Sequence, residues 1–342
     1  MRGFLAALLL LCGLAAPAMA HPPFGLVVDP TGNIYFSDLE TVWRLSPDGQ
    51  LSVFRAAVPE THVHELALAP DGAIEGDQNH YDPATERFYT GLWRRTPTGE
   101  EQQVVSLTER PPPGAGVWQD LAGNRYVTQW ISNDDRRTQL LRRRPDGRTE
   151  VLFDETGGSA RPADTSAASV GGIAFGSDGS LYFAAGSLLR RKSPDGNVTI
   201  IYDGGTGSSL RGLAAMPDGG ALAANMNAKS VLAVESDGTA NILYRETAAW
   251  LPTAVALADR RLFVLEANAD PYDHENRVRL IEVKNGRARV AGSPGEARPA
   301  PSPPSSSKGG GPLVQMILLT GLAVSAALLA TWLFRTKAGK LD

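Results

Sequence analysis

Four of the five histidines sit beside acidic or amide residues: His62 and His64 next to Glu65, His80 after Asp77 and Asn79, and His274 after Asp270. Glu65, Asp77, Asn225 and Glu266 offer hard oxygen donors of the kind that hold Ca2+ or another divalent metal. His64 or His62 would then act as a base on a metal-bound water. The two histidines are two residues apart, so in an extended segment they project to the same side. Asp38, Asn79, His80, Arg211, Asn227, Asn268 and Asp270 widen this set into a polar ligand-binding face. Polar loop ends also meet water without doing chemistry, so an enzyme and a binding module both remain open.

These residues fall at related points of an internal repeat. A strand-like run closing in Pro-Asp-Gly or a variant ends at Gly49, Gly99, Gly147, Gly196, Gly238 and Gly286, at spacings of 50, 48, 49, 42 and 48. A second series precedes it in phase, including FGLVVDPTGNIYF, HELALAPDGAIEG and GGIAFGSDGSLYF, each an apolar run, a tight turn and another apolar run. The turn residues supply the positive φ that hairpins need. Val, Ile, Leu, Tyr and Phe in both runs suit strands buried on two faces. One such unit cannot bury its faces alone, so the units must stack. The expected fold is all-β, a six-bladed β-propeller over residues 21–291 with four-stranded antiparallel blades, the radial solution to exposed sheet edges. One face of a propeller collects the starts of innermost strands and the ends of second strands, and the polar residues above fall at those points. Gly76 to Pro83 breaks the strand pattern and predicts an enlarged loop over the channel mouth. Arg142-Arg143-Arg144 and Arg190-Arg191-Lys192 lie on third strands, where long side chains cover blade flanks.

The phrases GLVVDPTGNIYFSD, GIAFGSDGSLYFA and LALAPDGA, with an arginine-rich third strand, resemble the repeats of NHL-repeat and SMP-30/gluconolactonase-like propellers across residues 24–291. That resemblance implies the fold, and it implies lactonases or esterases with a divalent metal in the central channel as one activity among several. Such lactonases show Glu-Gly-Pro and a later Asn-Gly at inner-strand starts. Here Glu65 is followed by Leu66-Ala67, and the later positions read Val170-Gly171, Leu210-Arg211 and Pro252-Thr253. The first reading is therefore a module that binds a protein, glycan or small molecule; the alternative is a metal-dependent lactonase or esterase.

The ends speak to location. Residues 1–20, MRGFLAALLLLCGLAAPAMA, carry a basic start, a short apolar stretch and a small-x-small cleavage site, as a secretory signal peptide does. Leu313 to Phe334 is an uncharged 22-residue run followed by Arg335, Lys337 and Lys340. A helix of that length spans the roughly 30 Å hydrocarbon core, with the basic tail 335–342 on the cytoplasmic side. Residues 292–312 are rich in Pro, Ser and Gly and read as a tether. The expectation is an exported, single-pass membrane protein with its propeller on the periplasmic or cell-surface side. The one cysteine, Cys12, lies in the signal, which excludes a disulfide framework. A net charge of −4 argues against nucleic acid as a partner.

Overall fold

The computed structural model describes residues 22–110, 116–132, 137–155, 170–268 and 277–294. They form six antiparallel sheets, each built from consecutive strands. Blade 1 comprises β1 (Leu26–Val28), β2 (Ile34–Ser37), β3 (Val42–Leu45) and β4 (Leu51–Arg55). Blade 2 comprises β5 (Thr61–His62), β6 (Leu66–Leu68), β7 (Ile74–Asp82), β8 (Arg87–Arg95) and β9 (Glu101–Thr108). Blade 3 holds β10 (Trp118–Gln119), β11 (Arg125–Ser132), β12 (Arg137–Arg143) and β13 (Thr149–Glu155). Blade 4 holds β14 (Val170–Phe175), β15 (Leu181–Ala185), β16 (Leu188–Lys192) and β17 (Val198–Asp203). Blade 5 holds β18 (Leu210–Ala215), β19 (Ala221–Asn225), β20 (Ser230–Val234) and β21 (Ala240–Arg245). Blade 6 holds β22 (Trp250–Ala258), β23 (Arg261–Asn268), β24 (Val278–Lys284) and β25 (Arg287–Gly292). The chain is a six-bladed β-propeller, as the repeat predicts.

The repeat glycines explain the blades' outer corners. Gly49, Gly99, Gly147, Gly196, Gly238 and Gly286 all lie at φ between +71° and +99°, the left-handed region open to glycine at little cost. Each turns the third strand of its blade into the fourth. The arginines of the third strands lie as expected: Arg142 and Arg144 pair with Glu150, Arg191 pairs with Asp178, and Arg190 stacks 4.8 Å over Phe153.

The core lies between blades. Among the described residues there are six apolar clusters, one for each pair of neighbouring blades. Blade 1 packs directly on blade 6 through Leu26, Phe36 and Trp43 against Phe263, Leu265 and Leu280. The ring thus closes by side-chain packing between the first and last blades. Inner strands approach closely where residues are small. A Cβ on Gly212 would lie 2.5 Å from Ala254 Cα, and one on Gly172 would lie 3.1 Å from Gly212 Cα.

Blade 2 departs from the sequence expectation. Gly76 to Asp82 is not a loop: it continues β7, whose nine residues pair with the nine of β8 from Ile74↔Arg95 to Asp82↔Arg87. Pro83 to Glu86 makes the turn, with Glu86 at φ +54° and Asp82 accepting from the Ala84 N–H and the Thr85 hydroxyl. The alternation of polar Asp77, Asn79 and Tyr81 with Gln78 and His80 is a strand with two polar faces, a pattern that an apolar-run criterion overlooks. β5 adds to the same strand, pairing Thr61↔His80 and His62↔Asn79.

Residues 1–20, most of the tether, 313–334 and 335–342 lie outside the described residues. Among the described residues no helix is long and apolar enough to cross a membrane.

Candidate functional site

The site is built where β5 hands over to β6. Between them β7 has no regular strand partner for Val63 to Glu65, and Asp77 fills the gap. Its Oδ1 accepts the backbone N–H groups of His64 (2.7 Å) and Glu65 (2.8 Å). Its Oδ2 accepts from the Asn79 amide at 2.8 Å, and the His64 ring lies 3.6 Å away. Asp77 therefore positions the two residues beside it.

Asn79 sets the state of His64. The Asn79 Oδ1 accepts the Thr90 hydroxyl at 3.0 Å, which leaves both amide hydrogens for Asp77 Oδ2 and for His64 Nδ1, at 3.0 Å. Reversing the amide would put its oxygen against the Asp77 carboxylate. His64 Nδ1 is thus an acceptor, and in the neutral ring the proton rests on Nε2. His64 presents an N–H donor at Nε2, so the base role expected from sequence does not follow from this geometry. His62, exposed, stands edge-on to His64 with ring centroids 6.0 Å apart. Partial desolvation of its ring, and then the neighbouring His64, hold its pKa below the ordinary value.

Glu65 points into the central channel. A cavity of about 200 Å³ runs along the inner strands of all six blades. Phe24, Leu66, Leu68, Phe175, Leu213 and Val255 contribute apolar walls, and Glu65 carries the only charge-bearing group among the lining residues. Glu65 is half-buried and lines this cavity. Burial, reinforced by the Asp77 carboxylate, pushes its pKa well above the ordinary range, against the opposing pull of Arg211 and a hydrogen bond with Trp118. Burial thus favours the protonated form, which donates a hydrogen bond as well as accepting one. Arg211 leans over the Phe24 ring at 5.6 Å. The Phe24 N–H donates to the His64 carbonyl at 2.8 Å, tying the start of the chain to the same corner.

The structure thus brings together His62, His64, Glu65, Asp77, Asn79 and Arg211. The other sequence-derived residues are engaged within their own corners. Asp38 is buried and accepts from the Glu40 and Thr41 N–H groups and, at 2.7 Å, from the Trp43 indole. His80 bonds the Thr61 hydroxyl at 3.0 Å. Asn225 accepts from the Ser209 and Ala228 N–H groups and donates to Ser208 at 2.7 Å. Glu266, fully buried, takes Arg279 Nε at 2.8 Å, and Arg279 also contacts Glu246 and lies 4.4 Å over Trp250. Burial raises the Glu266 pKa despite Arg279. Asn227 is exposed in the turn after β19, and Asn268 closes β23 with its N–H on the Arg277 carbonyl. Asp270 lies outside the described residues.

This arrangement bears on the metal that the resemblance implies. The oxygens of Asp77 are taken by N–H donors, the Asn225 carbonyl oxygen accepts two, and Glu266 is paired with arginine. Among the described residues no group of three or more His, Cys, Asp or Glu is placed to hold a metal ion. Among the described residues, this donor set does not fit a calcium-type centre.

Sequence reasoning overlooked Phe24 and Trp118. Both are aromatic residues near inner-strand starts, and their position in GVWQDLAGN and HPPFGL was the available signal.

No family model and no curated protein matches the sequence. Solved structures do. A putative gluconolactonase is 16% identical, with 78% of this chain and 89% of that one covered and a TM-score of 0.51. A regucalcin from Agrobacterium tumefaciens described as calcium-binding is 17% identical, covering 80% and 92% at a TM-score of 0.47. A streptogramin B lyase is 16% identical, covering 81% and 84% at 0.48. The structural neighbours are SMP-30/gluconolactonase-like and streptogramin-lyase propellers, and at these identities the likeness is one of fold.

Proposed function

We propose that this protein is a capture module, exported and held at a membrane by the run 313–334, which binds a ligand at the mouth of its channel. The observation that carries this reading is Glu65: a carboxyl at the head of the channel, hydrogen-bonded with Trp118 and with the Arg211 charge beside it. Such a set favours a ligand with hydrogen-bond-accepting oxygens over a bare cation. A propeller face of this kind also suits a protein or a glycan just outside the membrane; the narrow channel behind it favours a small molecule.

A second reading is hydrolysis of a lactone or an ester. It draws support from the name of the putative gluconolactonase and from the contact of His64 with Asp77. Because the donors do not fit a metal, that chemistry would rest on the Glu65 acid and the His64 ring. One experiment separates the two. The full chain is screened by thermal shift and by product release against small lactones, esters, sugars and carboxamides, beside His64→Ala and Glu65→Leu. Saturable stabilisation without turnover, lost in both variants, supports capture. Turnover lost in both variants replaces capture with hydrolysis.

A further inference from the structure

A second cavity of about 200 Å³ lies where blade 1 meets blade 6, at the end of the ring away from the channel mouth. Blade 6 supplies its charges. Phe263, Glu282 and Arg289 stand side by side across β23, β24 and β25, paired Phe263↔Glu282 and Glu282↔Arg289, and so share one face of the sheet. Arg261 lies two residues before Phe263 on β23 and projects to that face as well. Its guanidinium stacks 5.3 Å over the Phe263 ring. Glu282, 3% exposed, gives Oε2 to Arg289 Nε at 2.7 Å, and Arg289 Nη2 contacts the same oxygen. Its Oε1 stays 3.7 Å from Arg261 Nη1, beyond hydrogen-bond reach. Among the described residues no hydrogen bond holds the Arg261 guanidinium, although only 23% of that side chain is exposed. Blade 1 lines the cavity with Leu45, Ser46, Pro47 and the turn glycines and adds no charge to the lining; Asp48, at the same corner, is exposed and engaged by the Ser46 hydroxyl. Two guanidinium groups thus face one carboxylate, and the N–H edge of Arg261 is unused.

We infer that this cavity binds a small monocarboxylic acid. The carboxylate meets the N–H edge of Arg261, whose planar fork matches two carboxylate oxygens. The apolar part rests on Leu45, Pro47 and Val290, which line the same cavity. One negative charge cancels the excess of arginine over glutamate, whereas a doubly charged phosphate leaves a partly buried charge without a partner. An apolar cavity of roughly 150 Å³ suffices for a benzene ring, so an acid carrying a single ring fits the volume. The site shares no residue with the channel mouth and does not depend on how the mouth is read.

The test titrates benzoate into the full chain by calorimetry, beside benzamide, inorganic phosphate and sulfate. Benzoate binds, and benzamide, which has the shape without the charge, binds about tenfold more weakly or less well still. Arg261→Met keeps an apolar stem over Phe263 and removes the fork, and it weakens benzoate about tenfold or more. Arg261→Lys keeps the charge without the fork and retains only part of the affinity; it replaces Arg261→Met if that protein does not fold, as judged by circular dichroism. Glu65→Leu, at the mouth, leaves benzoate affinity unchanged. No binding of benzoate, equal affinity for benzamide, or a preference for phosphate or sulfate overturns the proposal. So does full benzoate affinity in a folded Arg261→Met or Arg261→Lys protein. Benzoate affinity lost in Glu65→Leu and kept in the Arg261 variants places the acid at the mouth and overturns it as well.

Discussion

The seam between blades 1 and 6 and the seam between blades 2 and 3 hold the ring together by different means. At the first, thirteen buried apolar residues interdigitate, with Phe36, Trp43, Phe263 and Leu265 at the centre. At the second, the described residues supply three, Ala67, Leu92 and Val117, with Val105 and Trp118 packed against them. In place of apolar area the second seam has charge. Glu75, 2% exposed, receives Arg94 from its own blade and Arg125 from blade 3, at 3.3 and 2.7 Å. The first seam joins the ends of the fold. The second flanks the site, with Glu65 on one side and Trp118 on the other. Dense packing sits where the ring closes, and charged packing sits beside the channel mouth.

The comparison breaks most readily at the closing seam. Phe263→Ala removes a buried ring that the surrounding strands cannot replace, and a loss of about 3–5 kcal/mol is expected in denaturant unfolding. Next is Glu75→Ala, which removes the shared carboxylate, leaving Arg94 its pair with the exposed Asp71 and Arg125 the Gly116 carbonyl. A loss of about 3 kcal/mol is expected, and Glu75→Met combined with Arg125→Met should recover most of it. If Glu75→Ala costs under 1 kcal/mol, charge does not hold this seam. Leu92→Ala should cost about 2 kcal/mol, the low end for a buried leucine, because few neighbours depend on it. A loss equal to that of Phe263→Ala would mean the two seams are alike.

The smallest effect is a slope with pH. The folded-state pKa of Glu65 is raised, so the native protein keeps a proton that the unfolded chain releases above the ordinary glutamate value of 4.5. Stability should therefore fall as pH rises from about 4.5 through the raised value, and be fully present below that window. Glu266 is raised in the same direction and adds to the slope. Glu65→Gln, neutral at all pH, should flatten it in urea unfolding at pH 5 and pH 8. An unchanged slope would place Glu65 in the ionised state.

Much of the fold was legible because its signals are local. The phased glycines mark hairpin turns whose φ demands them, and alternating apolar runs mark doubly buried strands. The β7 extension was illegible for the converse reason: Asp77 to Asp82 is polar on both faces, and only its pairing with β8 makes it a strand. Within the site, the cluster of His62, His64, Glu65, Asp77 and Asn79 could be read from the crowding of rare histidines. Their roles could not. That Asp77 serves two backbone N–H groups, and that Asn79 fixes the His64 proton, depends on hydrogen bonds between segments a dozen or more residues apart. Asn225 and Glu266 have suitable ligand chemistry, and only the structure shows Ser208, Ser209 and Arg279 claiming it.

The central claim is that the mouth of this channel takes a hydrogen-bonding ligand and does not chelate an ion. The most direct measurement is elemental analysis of the full chain purified without chelator, beside Glu65→Gln. The account predicts no stoichiometric divalent metal in either protein, with both folded and neither stabilised by added calcium. One calcium or other divalent ion per chain, lost in Glu65→Gln, would contradict it.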